Sequence, residues 1–278
     1  MFEPKDRIIF PLDFPDSNSA LKYVEILKDH VGLFKVGLEL FVREGPGVLN
    51  AISDACTPSP LAPLSLSLWE RVGVRVAGEG GRSKIFLDLK FHDIPETVKG
   101  AMKSANALGA EFVTVHCDEG GRLLETVVEA AAPPPIPTLV KGGEGGFTKV
   151  LAITVLTSLS RESLKEMGFR EELQDPLKLV LHRARIAKSA GCSGVVCSGQ
   201  EASFVRKEFG KDFIIVTPGI RPSWSVIKND DQQRITTPSD AIKAGADYIV
   251  VGRPIRTAKD PVDAAKRIAE EIEVTLKG

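Results

Sequence analysis

The 278-residue sequence has little net charge and no long apolar run, and each shortage excludes a class of protein. A formal net charge of -1 gives no electrostatic case for binding nucleic acid or a charged membrane surface. No apolar stretch approaches the roughly 20 residues that a membrane-spanning helix needs. The opening MFEPKDRIIF lacks the basic and apolar regions of a secretory signal. We therefore expect a cytoplasmic protein with neither nucleic acid nor membrane as a partner.

Cysteine and histidine are also scarce, with four of each. The cysteines form no C-x-x-C pair and are expected to be reduced thiols; they are Cys56, Cys117, Cys192 and Cys197. The histidines show no spacing typical of metal ligands. The sequence also has no dinucleotide-binding turn and nothing specific for pyridoxal phosphate. We expect no metal site and no cofactor.

Short apolar runs alternate with amphipathic helical stretches along the chain. Eight such runs can be counted: 7–13, 33–37, 84–90, 111–116, 149–157, 194–198, 213–219 and 248–253. This alternation is typical of parallel β/α units, and eight units close a TIM (β/α)8 barrel of about 250 residues. The alternative is a doubly wound open sheet. Such a sheet normally carries a G-x-G-x-x-G turn after its first strand, and LDFPD is not one.

Two segments, 57–83 and 131–148, break this alternation. Both open rich in proline, close rich in glycine and contain GEGG. Each follows a predicted helix and precedes a predicted strand, so each lies at the amino-terminal face of the barrel, opposite the usual face for chemistry. We expect a single domain over 1–278 that carries these two segments as flexible insertions. A lid or a partner-binding arm is the alternative reading of them.

The most informative motif is FLDLKFHDIP, which contains Asp88, Lys90 and Asp93. Asp88 and Lys90 are two residues apart on a predicted strand, so both point to the same side. A carboxylate and an ammonium on an inner face are costly unless they pair or perform chemistry. Asp93 follows in the turn before a helix. A structural ion pair is the simpler reading of a lone D-x-K.

Polar residues recur where the other predicted strands end. The charged candidates are Asp13 and Lys35 on strands one and two. His116 ends strand four, and the hydroxyl residues Thr157 and Ser158 end strand five. TPGIRP and VGRP follow strands seven and eight, where barrels commonly bind phosphate. Backbone N–H groups beside a guanidinium form an anion cradle. The candidates for binding substrate here are Pro218, Arg221, Gly252 and Arg253, and Gln232 between the two motifs offers an amide that can reach phosphate or a base edge.

These motifs together resemble the bacterial form of orotidine 5'-phosphate decarboxylase. The resemblance rests on LDFPD, FKVGLELF, DLKFHDIPETV, VLTS, GVVCS, TPGIRP, DQQRI and VGRPI, and it spans the chain outside 57–83 and 131–148. HCDEGG (116–121) and the long loop between Arg221 and Gln232 depart from the family pattern.

The resemblance implies a role for each candidate. It implies that Asp13 and Lys35 hold the ribose, that Lys90 donates the proton and that Asp88 lies beside the scissile carboxylate. It further implies a homodimer in which Asp93 and Thr97 reach into the neighbouring site. Thr157 and Ser158 would face the pyrimidine. The phosphate would be held by Arg221, Gln232, Gly252 and Arg253, with Pro218 alongside.

Several other functions remain open at this stage. A metal-dependent phosphosugar decarboxylase or synthase shares D-x-K-x-x-D but needs a further acid, for which Glu39 is the nearby candidate. A Schiff-base aldolase would need a neutral Lys90, whereas flanking carboxylates favour the ammonium form. A nucleotide-binding barrel without catalytic activity is the third alternative.

Overall fold

The computed structural model describes residues 3–56, 84–132, 148–225 and 234–278. Within these ranges, eight parallel strands close into a barrel in the order of the sequence, so the predicted TIM barrel is confirmed. The strands are β1 (Ile8–Pro11), β2 (Leu33–Gly37), β3 (Ile85–Phe91), β4 (Phe112–His116), β5 (Lys149–Ile153), β6 (Gly194–Val196), β7 (Ile214–Thr217) and β8 (Tyr248–Val250).

At least one helix follows every strand and covers the outside of the barrel. The α-helices are α1 (Ser17–Leu27), α2 (Leu38–Glu44), α3 (Gly47–Cys56), α4 (Pro95–Ala107), α5 (Gly121–Ala131), α6 (Arg161–Glu166), α7 (Pro176–Ser189), α8 (Gly199–Phe209), α9 (Pro238–Lys243), α10 (Arg253–Arg256) and α11 (Pro261–Lys277). Helix α1 shows the pattern: it buries Ala20, Val24 and Leu27, which lie on one face. Its first turn is capped by Asp16, whose carboxylate accepts a hydrogen bond from the Ser19 amide at 2.8 Å.

Large side chains fill the inside of the barrel below its carboxyl-terminal end. Strands in such a sheet are buried on both faces, which explains their nearly continuous apolar sequences. The inner cluster consists of Ile9, Leu33, Phe86, Phe112, Leu151, Val216 and Tyr248. The Phe112 ring makes edge contacts with Phe86 at 5.8 Å and Tyr248 at 5.1 Å between ring centroids. This aromatic layer closes the barrel from below, so any cavity must open at the top.

The two predicted insertions lie almost wholly outside the described residues. Residues 57–83 are outside completely, and so is 133–147 of the second segment. The ends of that second segment belong to the barrel: Ala131 is the last residue of α5, and Thr148 is buried just before β5. Thr148 Oγ1 lies 2.8 Å from the Ala110 carbonyl oxygen and 2.9 Å from Asn106 Oδ1. In the part of the chain that is described, no helix combines the length and apolar character needed to cross a membrane.

Candidate active site

A cavity of about 280 Å³ opens at the carboxyl-terminal ends of the strands, the face that carries chemistry in such barrels. Nine of the thirteen residues to which the resemblance gives a role line its wall: Asp13, Lys35, Asp88, Lys90, Thr157, Pro218, Arg221, Gly252 and Arg253. Their strands are spread around the barrel from β1 to β8. Closure of the sheet therefore brings together residues that are distant in the sequence.

The cavity contains a row of alternating charges. Lys90 Nζ lies 2.9 Å from Asp88 Oδ2, and Lys35 Nζ lies 3.2 Å from the same oxygen. Lys35 Nζ also approaches Asp13 Oδ1 at 3.5 Å. Asp88 is the most buried of these groups, with 7% of the residue exposed. The order Asp13, Lys35, Asp88, Lys90 compensates each buried charge with a neighbour of opposite sign.

The environment keeps the inner members of this row ionised. Burial would raise the pKa of Asp88, but the ammonium groups of Lys35 and Lys90 outweigh burial and lower it. Burial would lower the pKa of Lys35, but the carboxylates of Asp88 and Asp13 outweigh burial and raise it. Both shifts favour the charged forms, so Asp88 and Lys35 are fixed charges at neutral pH.

Thr114 on β4 fixes the geometry of this row, and the sequence analysis did not identify it. Its hydroxyl donates to Asp88 Oδ1 at 2.9 Å and accepts from the backbone amide of Lys90, also at 2.9 Å. The β3–β4 register shifts between Leu87 and Phe91, and within that shift Lys90 has a positive φ of 53°. Leaving regular strand geometry at this point lets Lys90 reach back to Asp88.

A second group of cations surrounds the cavity where β7, β8 and β1 meet. Arg221 follows β7, and Arg253 begins α10 directly after Gly252. A Cβ atom on Gly252 would come within 2.8 Å of Pro11 Cγ, so only glycine allows α10 to approach β1 this closely. Three guanidinium groups therefore face one end of the cavity, because Arg256 lines it too.

Arg256 is the second site residue that the sequence analysis missed. One of its nitrogens, Nη1, donates to the Asp13 carbonyl at 2.6 Å, and its guanidinium carbon lies 5.7 Å from the centre of the Phe14 ring. It links α10 to the end of β1. On the sequence alone it is one more charge on a short helix, which gives no signal of this contact.

The structure corrects the predicted end of the fifth strand. The apolar run predicted a strand to residue 157, but β5 ends at Ile153. Both the amide and the hydroxyl of Thr154 bond to the Val196 carbonyl, at 3.3 and 2.8 Å, and a turn then joins the Leu159 amide to the Leu156 carbonyl. Thr157 remains in the cavity wall. Ser158 is exposed on that turn and does not line the cavity.

Three other predicted residues are not in the cavity wall of this chain. Asp93 is exposed after β3, and its Oδ1 accepts from the Ile94 amide at 2.7 Å. Thr97 is exposed on α4. Gln232 lies outside the described residues.

The acidic segment after β4 also lies outside the cavity wall. Asp118 pairs with His116 at 3.3 Å and with Arg183, while Glu119 pairs with His92 at 2.9 Å. These contacts join the segment HCDEGG, which departs from the family pattern, to the end of β3 and to α7. In the described part of the chain, no cluster of three or more acidic, histidine or cysteine side chains is suited to hold a metal ion.

Comparison with known proteins shows what this chain is similar to. The model of the family described as "Orotidine 5'-phosphate decarboxylase / HUMPS family" matches residues 6–268. Orotidine 5'-phosphate decarboxylase of Desulfosudis oleivorans is 43% identical over 275 residues, covering 99% of this chain and 96% of the relative. The enzyme of the same name from Geobacter sp. (strain M21) is 41% identical over 268 residues, covering 96% and 95%.

A solved structure gives the same result for the fold. The crystal structure of orotidine 5'-phosphate decarboxylase from Lactobacillus acidophilus superimposes with a TM-score of 0.72 at 31% sequence identity. That match covers 95% of this chain and 98% of the other. This chain is a carboxy-lyase that belongs to the orotidine 5'-phosphate decarboxylase / HUMPS family.

Proposed function

We propose that this protein converts orotidine 5'-phosphate to uridine 5'-phosphate and CO₂ in pyrimidine biosynthesis, as a cytoplasmic homodimer. The observation that carries the proposal is the position of Lys90. Its ammonium is held 2.9 Å from a buried carboxylate in a cavity that also contains three guanidinium groups. Fixed positive charge beside a reacting carbon and a cationic site for phosphate are the two things that this reaction requires.

The order of the strands around the barrel supports a nucleotide as the substrate. Arg221 and Arg253 follow β7 and β8, and Asp13 and Lys35 come next on β1 and β2. Asp88 and Lys90 follow on β3, and Thr157 lies after β5. We expect the phosphate to bind the first pair and the ribose to bind the second. The base is expected to bind the residues that follow β3 and β5. This order matches the covalent order of a nucleoside monophosphate.

The reaction itself follows from the row of charges. When the bond between C6 and the carboxylate breaks, CO₂ leaves and the electron pair remains on C6 in the plane of the ring. The Lys90 ammonium, already in place, stabilises this carbanion and then transfers a proton to C6. The resulting amine regains its proton from water. Asp88, ionised beside the substrate carboxylate, destabilises the bound ground state, and Lys35 holds Asp88 in position.

The phosphate lies far from the reacting carbon and contributes through binding. Its interactions with the cationic end of the cavity hold the pyrimidine ring against Lys90. Charge-assisted contacts to Arg221 and Arg253 are suited to this role because a guanidinium can bind two phosphate oxygens at once.

The proposed homodimer accounts for Asp93 and Thr97, two of the predicted residues that do not line this chain's own cavity. Asp93 and Thr97 are exposed on the β3–α4 side, beside Ile94, a large apolar residue that is 66% exposed. An exposed apolar side chain next to charged and polar groups is typical of a contact surface. We infer that Asp93 and Thr97 serve the cavity of the neighbouring subunit, with Asp93 facing that subunit's Lys90.

The metal-dependent alternative needs a further acid at the site, and Glu39 was its candidate. Glu39 is exposed on α2 and does not line the cavity. The carboxylates that do line it, Asp13 and Asp88, are both engaged with Lys35. This placement favours the decarboxylase proposal.

A direct assay tests the function. Purified protein is mixed with orotidine 5'-phosphate, and the loss of substrate absorbance is followed with and without EDTA. We expect turnover that is insensitive to EDTA, and a loss of more than about a thousandfold in Lys90→Ala. Lys90→Ala should still bind uridine 5'-phosphate in calorimetry. A wild-type chain without activity, or one that EDTA inactivates, would rule out the proposal.

A further inference from the structure

Arg234, between β7 and α9, forms a buried ion pair that the proposed chemistry does not use. Its Nη1 lies 2.5 Å from Glu201 Oε1 on α8, and the two side chains are only 11% and 5% exposed. Glu201 is fixed in turn by Ser198, whose amide donates to Oε2 at 3.0 Å and whose hydroxyl also contacts that oxygen. A buried charge pair this well satisfied holds its backbone in one arrangement.

The remaining nitrogens of Arg234 reach the cavity wall. Nη2 donates to the Leu156 carbonyl at 2.8 Å, and Nε approaches the Thr157 carbonyl at 3.5 Å. Leu156 and Thr157 both line the cavity, on the side expected to face the base. Arg234 therefore holds the backbone of the turn that follows β5, without lining the cavity itself.

The chain next to Arg234 is fixed to the part of the cavity wall that contains Arg221. The Arg221 amide donates to the Thr236 carbonyl at 2.9 Å, and the Thr236 amide donates to the Gly219 carbonyl at 3.3 Å. Thr236 also packs against Gly199 at the start of α8, where a Cβ atom would lie 2.4 Å from Thr236 Oγ1. The segment from Arg234 to Thr236 thus contacts both the turn at Leu156 and Thr157 and the backbone at Arg221.

We propose that Arg234, held by Glu201, is a positioning residue that couples the phosphate end of the cavity to the base-facing turn at Leu156 and Thr157. This inference rests on the proposed function. Phosphate bound at Arg221 holds the paired segment in this arrangement, and through Arg234 it holds the carbonyls of the turn in place. The base then binds to a turn that is already in place, so phosphate and nucleoside strengthen each other's binding.

Coupling between two fragments of the ligand measures this role directly. Uridine binding is measured by calorimetry with and without inorganic phosphate, and kcat/KM is measured with orotidine 5'-phosphate. In the wild type, we expect phosphate to tighten uridine binding by at least about fivefold. Arg234→Lys keeps a positive charge but loses the paired hydrogen bonds to the carbonyls of Leu156 and Thr157. In this variant phosphate should no longer tighten uridine binding, and kcat/KM should fall by at least about tenfold.

Arg206 provides the matched control. It also joins a carboxylate, Asp247 at 2.6 Å, to backbone carbonyls, including Gly245 at 2.8 Å and Phe213 at 2.9 Å. These partners precede β7 and β8, at the face opposite the cavity. Arg206→Lys should lower the melting temperature yet keep the coupling and kcat/KM. Glu201→Gln, which preserves shape, should reproduce the loss of coupling if Arg234→Lys folds poorly.

The outcomes separate this inference from the proposed function. A wild-type chain that does not decarboxylate orotidine 5'-phosphate overturns the proposed function. An active wild type without coupling overturns the inference alone, and so does a folded Arg234→Lys that keeps wild-type coupling. Equal losses of coupling in Arg206→Lys and Arg234→Lys would also overturn it, because they would reflect general destabilisation.

Discussion

The backbone amide of Lys90 donates to the hydroxyl of Thr114, and this contact holds Lys90 at a φ of 53°. A left-handed conformation is unfavourable for a residue other than glycine by roughly 1–3 kcal/mol. The surrounding structure must offset that cost. The same hydroxyl donates to Asp88, so a single side chain fixes both the proposed proton donor and its ionic partner.

Thr114→Val tests this relationship with almost no change in volume. The variant leaves a buried carboxylate oxygen and a buried amide without their partner, so we expect the free energy of unfolding to fall by about 1–3 kcal/mol. Displacement of Lys90 should lower kcat by about tenfold to a hundredfold. Thr114→Ser, which keeps the hydroxyl, should remain close to wild type in urea unfolding and in turnover. A valine variant with wild-type kcat would contradict the role given to Thr114.

Arg253→Ala should weaken binding of the phosphate group and nothing else. A lost hydrogen bond to a charged group is worth about 1.5–3 kcal/mol, which corresponds to a 10- to 150-fold weaker binding of uridine 5'-phosphate. Uridine, which has no phosphate, should bind with unchanged affinity in the same calorimeter. Equal weakening of both ligands would mean that Arg253 shapes the cavity rather than binding phosphate.

Mixing two inactive variants tests the shared site. If Asp93 serves the neighbouring subunit, a heterodimer of Lys90→Ala and Asp93→Ala contains one site that lacks both side chains and one intact site. Activity should return to about a quarter of the wild-type level after equal mixing, since half of the dimers are mixed and each has one working site. The control is each variant incubated alone. No recovery after verified subunit exchange would place Asp93 in its own chain's site.

The lowered pKa of Asp88 predicts how stability depends on pH. A carboxyl group whose pKa is lower in the folded state stabilises the fold fully above its ordinary pKa of 3.8, and this contribution is lost as the pH falls through the folded-state pKa. Wild type should therefore exceed Asp88→Asn in unfolding free energy by a constant amount between about pH 5 and 7. The difference should narrow below about pH 4. Urea unfolding across this range measures it, and a difference that grows toward acid pH would contradict the lowered pKa.

The segment 57–83 is predicted to be dispensable. The elements on either side of it are α3, which ends at Cys56, and β3, whose first residue, Ile85, lies at the end of the strand remote from the cavity. Lengthening such a connection costs only a slowly growing closure entropy. Replacing 57–83 by a short turn should therefore leave kcat/KM unchanged and keep or raise the melting temperature. Limited proteolysis of the full chain should cut there first. Loss of activity or solubility in the shortened chain would mean that the segment is structural.

The sequence was sufficient to predict every strand, but not where several of them end. Val155 and Val251 are buried and apolar like strand residues, yet both lie beyond the last residue of their strand. An apolar sequence indicates that a residue is buried, and residues stay buried beyond the point where the chain leaves the sheet. The end of an apolar run therefore does not mark the end of a strand. Site residues begin at that point: Thr157 lines the cavity wall, whereas Ser158 on the same turn does not.

The residues that the prediction missed depend on register. Thr114 is an ordinary β-branched residue within FVTVH, and its contacts arise because β3 and β4 shift in register beside Lys90. Arg256 contacts Asp13, which is 243 positions away. Spacing along the chain carries no signal for either contact. By contrast, the pairing of Asp88 with Lys90 could be predicted because the two residues are only two positions apart on one strand.

The pairing of β8 with β1 has a consequence for the order of synthesis. β1 is synthesised before the other seven strands of the barrel and pairs with β8, which is synthesised after them, and Asp13 receives its contact from Arg256 only once α10 is present. Until the eighth unit emerges, the nascent barrel has two open edges and an incomplete cationic end. Pairing of β8 with β1 is therefore the step that completes the wall of the cavity. A transcript truncated before β8 would yield a protein with Lys90 in its sequence and no site around it.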